Sequence, residues 1–117
     1  MGITYIEADL TGPTGKRATI DLLVDSGAIY SVLPLEVWQD LGLEPKRSAQ
    51  FALADGTKIT RQVSECRFAL AGEEAHSPVV LGEPGDAALL GVVTLENLGL
   101  VFNPFDRTLR PMRLLMV

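Results

Sequence analysis

The chain has 117 residues, which is enough for one domain with a single hydrophobic core and too few for two. Apolar residues make up 47% of the chain and charged residues 21%, a composition typical of a folded globular protein. The formal net charge of −5, without a cluster of Lys and Arg, argues against nucleic acid as a partner. We therefore expect residues 1–117 to form one domain that does not bind nucleic acid.

The sequence also carries signals about location. It lacks the run of about 18 apolar residues that predicts a transmembrane helix. Its first residues lack the basic start and apolar core of a signal peptide. The single cysteine, Cys66, permits no internal disulfide, which is typical of a reducing compartment. These features predict a cytoplasmic protein without a membrane partner.

The first predicted element is a β-hairpin. Residues 3–10 alternate between apolar and polar side chains, and Ile3 and Tyr5 are assigned to the apolar side, as in a half-buried strand. A Gly- and Pro-containing turn follows at residues 11–15. Residues 17–24 then predict the return strand.

The stretch that follows is the most informative one. An apolar strand at residues 20–24 ends in Asp25, and a second apolar-rich strand at residues 29–33 continues the chain. Between them, Gly27 allows a sharp bend and the Ser26 hydroxyl can form a hydrogen bond across it. One interpretation is a plain Asx turn joining two strands. The other is a functional carboxylate, because an acid between apolar strands is costly unless hydrogen bonds or chemistry use it.

A short helix and a second hairpin are predicted next. Pro34 suits the first turn of a helix, because the N–H group that proline lacks is not needed there. Asp55-Gly56 lies between alternating strands at residues 50–53 and 58–63. Asp-Gly in this position is a strong short-range signal for a β-hairpin.

The rest of the chain predicts further strands and a second short helix. Residues 87–91 read Ala-Ala-Leu-Leu-Gly, a wholly apolar run typical of a strand buried on both faces. Val92, Leu95 and Leu98 then recur at helical spacing. The remaining strands are expected at residues 65–70, 77–81, 100–102 and 108–117.

The stretch around Asp25 resembles a family signature. It reads Leu23-Val24-Asp25-Ser26-Gly27-Ala28, similar to the apolar-apolar-Asp-Thr/Ser-Gly-Ala motif of the retropepsin-like aspartic proteases. The chain more closely resembles their small single-domain members from bacteria and archaea, in the order of a helix ending Leu-Gly-Leu, an Ala-Asp-Gly hairpin and an apolar-Leu-Gly turn. The resemblance extends from about Ile3 to Pro111. It implies a mostly β, closed barrel or sandwich with two short helices that works as a C2 homodimer.

The resemblance also implies a reaction. Hydrolysis of a peptide by carboxylates requires two of them, one to take a proton from water and one to donate a proton to the carbonyl. This chain contains one Asp-Ser-Gly, so Asp25 of two copies would have to meet at a two-fold axis. The implied function is an aspartic endopeptidase acting on a peptide or protein substrate, with no metal and no organic cofactor.

Roles for individual residues follow from the same resemblance. Asp25, Ser26 and Gly27 are the implied catalytic residues: Asp25 activates water, Ser26 forms a hydrogen bond across the dimer axis, and Gly27 allows the substrate strand to approach. The implied substrate-binding residues are Ala28 and the hairpin loop Ala54-Asp55-Gly56-Thr57, which resembles the flap that closes over a bound peptide. A plain surface hairpin is the alternative interpretation of that loop.

Two structural points stay open at this stage. Retroviral enzymes often pair an Arg after the apolar-Gly turn with an acid after the catalytic motif, whereas this chain has Val92 and Ile29-Tyr30 at those places. The bracing of the dimer must therefore differ. The apolar segment 112–117 either adds a strand to a sheet shared by two copies or packs on its own domain.

Two functional alternatives accompany the endopeptidase. The first is a non-catalytic dimeric β-domain that binds an extended peptide or a protein partner and keeps the Asp25 turn for rigidity, since folds outlast functions. The second is a Cys–His nucleophile formed by Cys66 and His76, for which a structural thiol is the ordinary explanation. His76 has no accompanying Cys or His cluster in the sequence, so a zinc site is not predicted.

Overall fold

A computed structural model of the chain describes residues 3–116 and contains nine strands and two short helices over that range. The strands are β1 (Tyr5–Thr11), β2 (Arg17–Val24), β3 (Ser31–Leu33), β4 (Arg47–Ala52), β5 (Lys58–Leu70), β6 (Glu73–Leu81), β7 (Leu89–Leu90), β8 (Leu100–Asn103) and β9 (Thr108–Pro111). The helices are α1 (Leu35–Asp40) and α2 (Val92–Asn97), and neither is long and apolar enough to cross a membrane.

Seven strands form one sheet in the order β1-β2-β7-β3-β6-β5-β4. Strand β1 also pairs with β5, so the sheet curls round and closes on itself. The core inside it is built from fully buried side chains of several strands, among them Leu10, Leu22, Leu33, Phe68 and Leu90. The mostly β, closed fold with two short helices is therefore confirmed.

The position of β7 decides the architecture of the site. Strands β2 and β3 are consecutive in the chain but are not neighbours, because β7 lies between them. It pairs in parallel with β2 and antiparallel with β3, with Leu89 opposite both Leu23 and Val32. Adjacent strands lie about 4.8 Å apart, so the loop from β2 to β3 must cross roughly 10 Å over the end of β7. That loop carries Asp25.

The predicted inward face of the first strand is wrong. Ile3 and Tyr5 are 67% and 61% exposed, whereas Ala8 and Leu10 are buried. Alternation requires one parity to face the core, and the longer apolar series is the one at even positions, beginning at Ile6. Tyr5 therefore lies on the outer face of β1, and Ile3 precedes the strand.

Two of the strands predicted near the site are shorter than expected. Strand β3 begins at Ser31 and not at Ile29, because the chain is still crossing β7 at that point. Strand β7 has two residues, and the expectation that it is buried on both faces holds for Leu90 alone. Leu89 is half-buried and Ala87 is exposed, because this side of the strand faces a groove.

Other boundaries moved by a few residues. Strand β6 begins at Glu73, four residues before the predicted start, because Ala71 and Gly72 both have positive φ (50° and 80°) and close a two-residue turn. The final strand ends at Pro111, whereas 108–117 was predicted. Residues 112–116 are not in a strand, and Val117 lies outside the described residues.

Candidate active site

The Asp25 turn is fixed by hydrogen bonds within a few residues. Its Oδ1 atom accepts the N–H of Gly27 at 2.9 Å, which is an Asx turn. The N–H of Ala28 donates to the carbonyl oxygen of Asp25 at 3.0 Å, and the N–H of Asp25 donates to Leu90 at 3.2 Å. The carboxylate is half-buried, and its second oxygen accepts no hydrogen bond from residues 3–116. One oxygen therefore holds the group in place while the other remains available.

The start of helix α2 supports the loop that follows Asp25. The first N–H groups of a helix have no partner inside the helix. Here the N–H groups of Val92 and Val93 donate to the carbonyl oxygens of Ala28 and Ile29, at 2.9 and 3.0 Å. The loop thus satisfies donors that the helix cannot, and the helix fixes the direction in which the chain leaves Asp25.

Gly91, between β7 and α2, lies directly under this loop. A Cβ atom at that position would be 2.5 Å from the carbonyl carbon of Tyr30 and 2.7 Å from the carbonyl oxygen of Ile29. Both are backbone atoms, so they cannot move aside as a flexible side chain can. The glycine of the apolar-Leu-Gly turn is therefore required for the close crossing of two chain segments.

A chain of buried hydroxyl groups continues below Gly91. The N–H of Gly91 donates to Ser31 Oγ at 3.0 Å, Ser31 Oγ lies 2.5 Å from Thr94 Oγ1, and Thr94 Oγ1 lies 2.8 Å from Ser77 Oγ. Ser77 donates to the carbonyl oxygen of Pro78. Since each hydroxyl has a single hydrogen, the donors must run in order from Gly91 through Ser31, Thr94 and Ser77 to Pro78. This network connects Gly91, which lies under the loop that follows Asp25, to strand β6.

A groove of about 750 Å³ opens above the Asp25 turn. Asp25, Gly27 and Ala28 line it, together with Leu53 and Ala54 at the start of the hairpin loop between β4 and β5. The other walls are mainly apolar and come from Ile29, Val32, Phe51, Ile59, Val80 and Leu89. A carboxylate in the lining of a largely apolar groove is the arrangement expected of a site for an extended, partly apolar ligand.

The remaining predicted site residues lie at the edges of this groove. Ser26 is exposed in the turn and is not part of the lining. Asp55, Gly56 and Thr57 form the tip of the hairpin, outside the lining. Asp55 Oδ1 accepts the N–H of Thr57 at 2.9 Å, and hydrogen bonds from Thr57 lower the pKa of Asp55.

The hairpin itself is confirmed, with one difference in its turn. A type I′ turn would require positive φ at both Asp55 and Gly56, but only Gly56 has it, at 88°. The N–H of Leu53 donates to the carbonyl oxygen of Thr57 at 2.7 Å. The loop is therefore the three-residue form in which a left-handed glycine follows a type I turn.

Most residues of the groove wall were not predicted from the sequence, and among them are Tyr30, Phe51, Arg61 and Asp86. Two of them form an ion pair on the groove wall: Arg61 Nε donates to Asp86 Oδ2 at 2.8 Å and Arg61 Nη2 donates to Asp86 Oδ1 at 3.2 Å. The Arg61 hydrogen bond lowers the pKa of Asp86. This pair links strand β5, which continues from the hairpin, to the loop before β7.

We predict that Asp86→Asn destabilises the protein by about 1 kcal/mol near pH 7, because it removes a two-point charge-assisted contact. The pKa of Asp86 is lower in the folded chain than the ordinary value of 3.8. The contribution of the ionised Asp86 to the free energy of unfolding is therefore complete above pH 3.8. It is lost as the pH falls from 3.8 to the lower pKa that Asp86 has in the folded chain. Urea unfolding of both proteins at pH 7 and pH 3 checks this. Glu44→Gln, at an exposed carboxylate outside any ion pair within residues 3–116, should show no such pH-dependent gap.

The structure argues against Cys66 and His76 as a Cys–His nucleophile. Cys66 is 3% exposed, and burial raises the pKa of its thiol to about 12. A nucleophilic cysteine needs the thiolate near neutral pH, usually favoured by a nearby cation or base. Within residues 3–116, no three His, Cys, Asp or Glu side chains come together as metal ligands.

Comparisons with known proteins identify the family and the fold of the chain. The family described as "gag-polyprotein putative aspartyl protease" matches residues 14–97, a range that contains both the Asp25 turn and Gly91. Among solved structures, the solution structure of the simian foamy virus (mac) protease matches 80% of this chain and 92% of its own, with 20% identity and a TM-score of 0.57. That likeness shows the fold. No curated protein sequence matches significantly.

The fold and the family match together define a retropepsin-like aspartic protease domain. Because the family match covers well over half of the sequence, the chain belongs to this family of aspartyl proteases.

Proposed function

We propose that the protein is an aspartic endopeptidase whose active site forms when two copies bring Asp25 together at a two-fold axis. The observation that carries the proposal is the Asp25 carboxylate, which accepts the Gly27 N–H through one oxygen, keeps the other oxygen free of hydrogen bonds from residues 3–116, and lines a mainly apolar groove. In this proposal residues 1–117 act as a single domain, and Asp25, Ser26 and Gly27 are its catalytic residues.

The requirement for a second copy follows from the chemistry. Two facing carboxylates about 3 Å apart cannot both ionise, so they share one proton, and the pair supplies a base and an acid together. Within residues 3–116, a single copy supplies two carboxylates to the lining of this groove, Asp25 and Asp86, and Asp86 is bound by Arg61. A homodimer with Asp25 next to its axis would complete the pair, since an axial residue meets its own copy.

Exposed apolar side chains support a self-associating surface. Leu114, Leu115 and Met116 are 72%, 69% and 102% exposed in the isolated chain. Apolar residues in sequence at such exposure are typical of a surface that a partner covers. The packing of this segment on its own domain is limited, so we favour its use as a strand shared between two copies.

The mechanism assigns a place to the substrate. An extended peptide lies in the groove with its scissile carbonyl above the Asp25 pair and its apolar side chains against the groove walls. The ionised Asp25 takes a proton from a water molecule as that water attacks the carbonyl, and the protonated Asp25 of the second copy donates its proton to the carbonyl oxygen. Ala28 and the loop Ala54-Asp55-Gly56-Thr57 contact the peptide, the loop acting as a flap that excludes solvent.

The test is cleavage of a diverse peptide mixture, followed by mass spectrometry from pH 4 to pH 7. A statine-type compound, which mimics the tetrahedral intermediate, should bind far more tightly than a substrate and stop cleavage. Cleavage that the compound does not inhibit would contradict the proposal. Peptide binding by a dimer that cleaves nothing would favour the other candidate, a non-catalytic peptide-binding module.

A further inference from the structure

We propose that Arg47 and Tyr30 form a subsite that selects an acidic side chain of the peptide in the groove. This inference rests on the proposed function for the identity of the ligand. It assigns a specificity-determining role to a residue outside the catalytic motif, the hairpin loop and the groove lining.

Arg47 is held at the rim of the groove by Tyr30. Its Nη2 atom donates to the Tyr30 hydroxyl at 2.7 Å, and its guanidinium carbon lies 5.7 Å from the centre of the Tyr30 ring. That ring in turn packs edge-on against Phe51, with centroids 6.0 Å apart. Tyr30 and Phe51 both line the groove, so the guanidinium stands over an aromatic part of its wall.

Arg47 differs from the other cation near the groove. Arg61 is bound to Asp86 at 2.8 Å and lies 3.6 Å from Glu83, so its charge is compensated. Within residues 3–116, Arg47 forms no ion pair. It is an exposed positive charge beside a groove, on a chain whose net charge is −5. Arg61 is the one Lys or Arg among the described residues that line the groove, so a ligand carboxylate would find no other uncompensated cation there.

The donors available at this position match a carboxylate. A guanidinium has five N–H donors in a planar fork, and Arg47 uses one of them on Tyr30. The Tyr30 hydroxyl accepts that bond, and its own hydrogen is donated to no group within residues 3–116. An Asp or Glu side chain could accept two N–H groups from the fork together with the phenol hydrogen, whereas Asn or Gln lacks the charge.

The location of the subsite follows from strand β4. Arg47 is the first residue of β4, which leads to the hairpin loop, and Phe51 lies four residues further along the same strand. An extended peptide beside β4 has the same rise per residue as the strand, so the acidic residue would lie several positions from the scissile bond. The subsite therefore selects by an outer residue of the ligand and leaves the residues near Asp25 in the apolar part of the groove.

The test is peptide capture, because it does not require cleavage. Immobilised Asp25→Asn protein is incubated with a randomised decapeptide library, and retained and unretained peptides are sequenced by mass spectrometry. We expect Asp and Glu to be enriched about threefold to tenfold at one position of the retained peptides, the effect of one partly exposed charge pair. Adding Arg47→Gln should remove this enrichment, and Arg47→Glu should replace it with enrichment of Lys and Arg. Tyr30→Phe should reduce it.

A matched control removes the same charge elsewhere. Arg17→Gln, at an exposed arginine in the first hairpin and outside the groove, should leave the enrichment unchanged. Equal acidic content in the two fractions, or no retained peptide, overturns the subsite. Acidic enrichment on the Asp25→Asn protein, together with no cleavage by the wild type, would support the subsite and overturn the endopeptidase. Failure of the subsite and failure of the proposed function are therefore distinguishable.

Discussion

Replacement of Asp25 by Asn is expected to reduce peptide hydrolysis by more than about a thousandfold, because an amide can neither take a proton from water nor share one with a facing carboxylate. Asp and Asn have nearly the same size and shape, so the substitution changes the charge and the proton chemistry of the side chain and little else. An Asn Oδ1 atom can still accept the Gly27 N–H that Asp25 accepts at 2.9 Å, so the turn should keep its shape. The measurement is kcat/KM on a cleaved peptide, with urea unfolding in parallel.

Asp21→Asn is the matched control for this prediction. Asp21 lies on the same strand that leads to Asp25, but it is exposed and does not line the groove. The Asp21→Asn variant makes the same chemical change, from carboxylate to amide, at a surface position outside the groove. Its activity should therefore stay within about twofold of wild type, since surface substitutions usually have small effects. Retained activity in Asp25→Asn at unchanged stability would show that another group performs the chemistry.

Gly91→Ala is expected to destabilise the protein by about 3 kcal/mol or more and to reduce activity with it. The new methyl group would lie 2.5 Å from a backbone carbon of Tyr30, a contact that only a shift of the chain can relieve. That chain is the loop that carries Asp25, whose carbonyl groups at Ala28 and Ile29 also hold the start of α2. Loss of stability and loss of the catalytic geometry should therefore occur together.

The general cost of Gly→Ala must be separated from this clash. Gly15→Ala provides the control, because a Cβ there meets nothing within 4 Å and only the positive φ of 89° opposes it. We expect that substitution to cost about 1 kcal/mol and to leave activity intact. Urea unfolding of both variants measures the difference. Equal stabilities for the two variants would contradict the close contact between Gly91 and the Tyr30 backbone.

Local signals in the sequence predicted much of the site. The Asp25 turn, the Asp55-Gly56 hairpin and the short helix after Pro34 each depend on residues close together in the chain, and all three lie where they were expected. Turn and cap preferences act over a few residues, so they can be seen without knowledge of the fold. The roles of the loop as a flap and of Asp25 as one of a pair remain proposals.

The missed features depend on residues far apart in the sequence. The insertion of β7 between β2 and β3 shortens the predicted 29–33 strand. No residue near Ile29 in the sequence indicates that another strand lies there. Arg61 and Asp86 are 25 residues apart, and each one alone resembles an ordinary surface charge. The sequence contains one weak signal for the buried hydroxyl groups. Ser31 lies two residues before Leu33 in a strand, so both side chains face the core.

The central claim is that two copies share one active site, and mixed dimers test it most directly. Wild type and Asp25→Asn are unfolded together in denaturant, refolded so that subunits pair at random, and assayed on one peptide at a fixed total concentration. If both Asp25 residues of a dimer are required, activity follows the square of the wild-type fraction, and an equal mixture retains about a quarter of the wild-type rate. An equal mixture that retains about half would show that each chain acts alone, which would contradict the account.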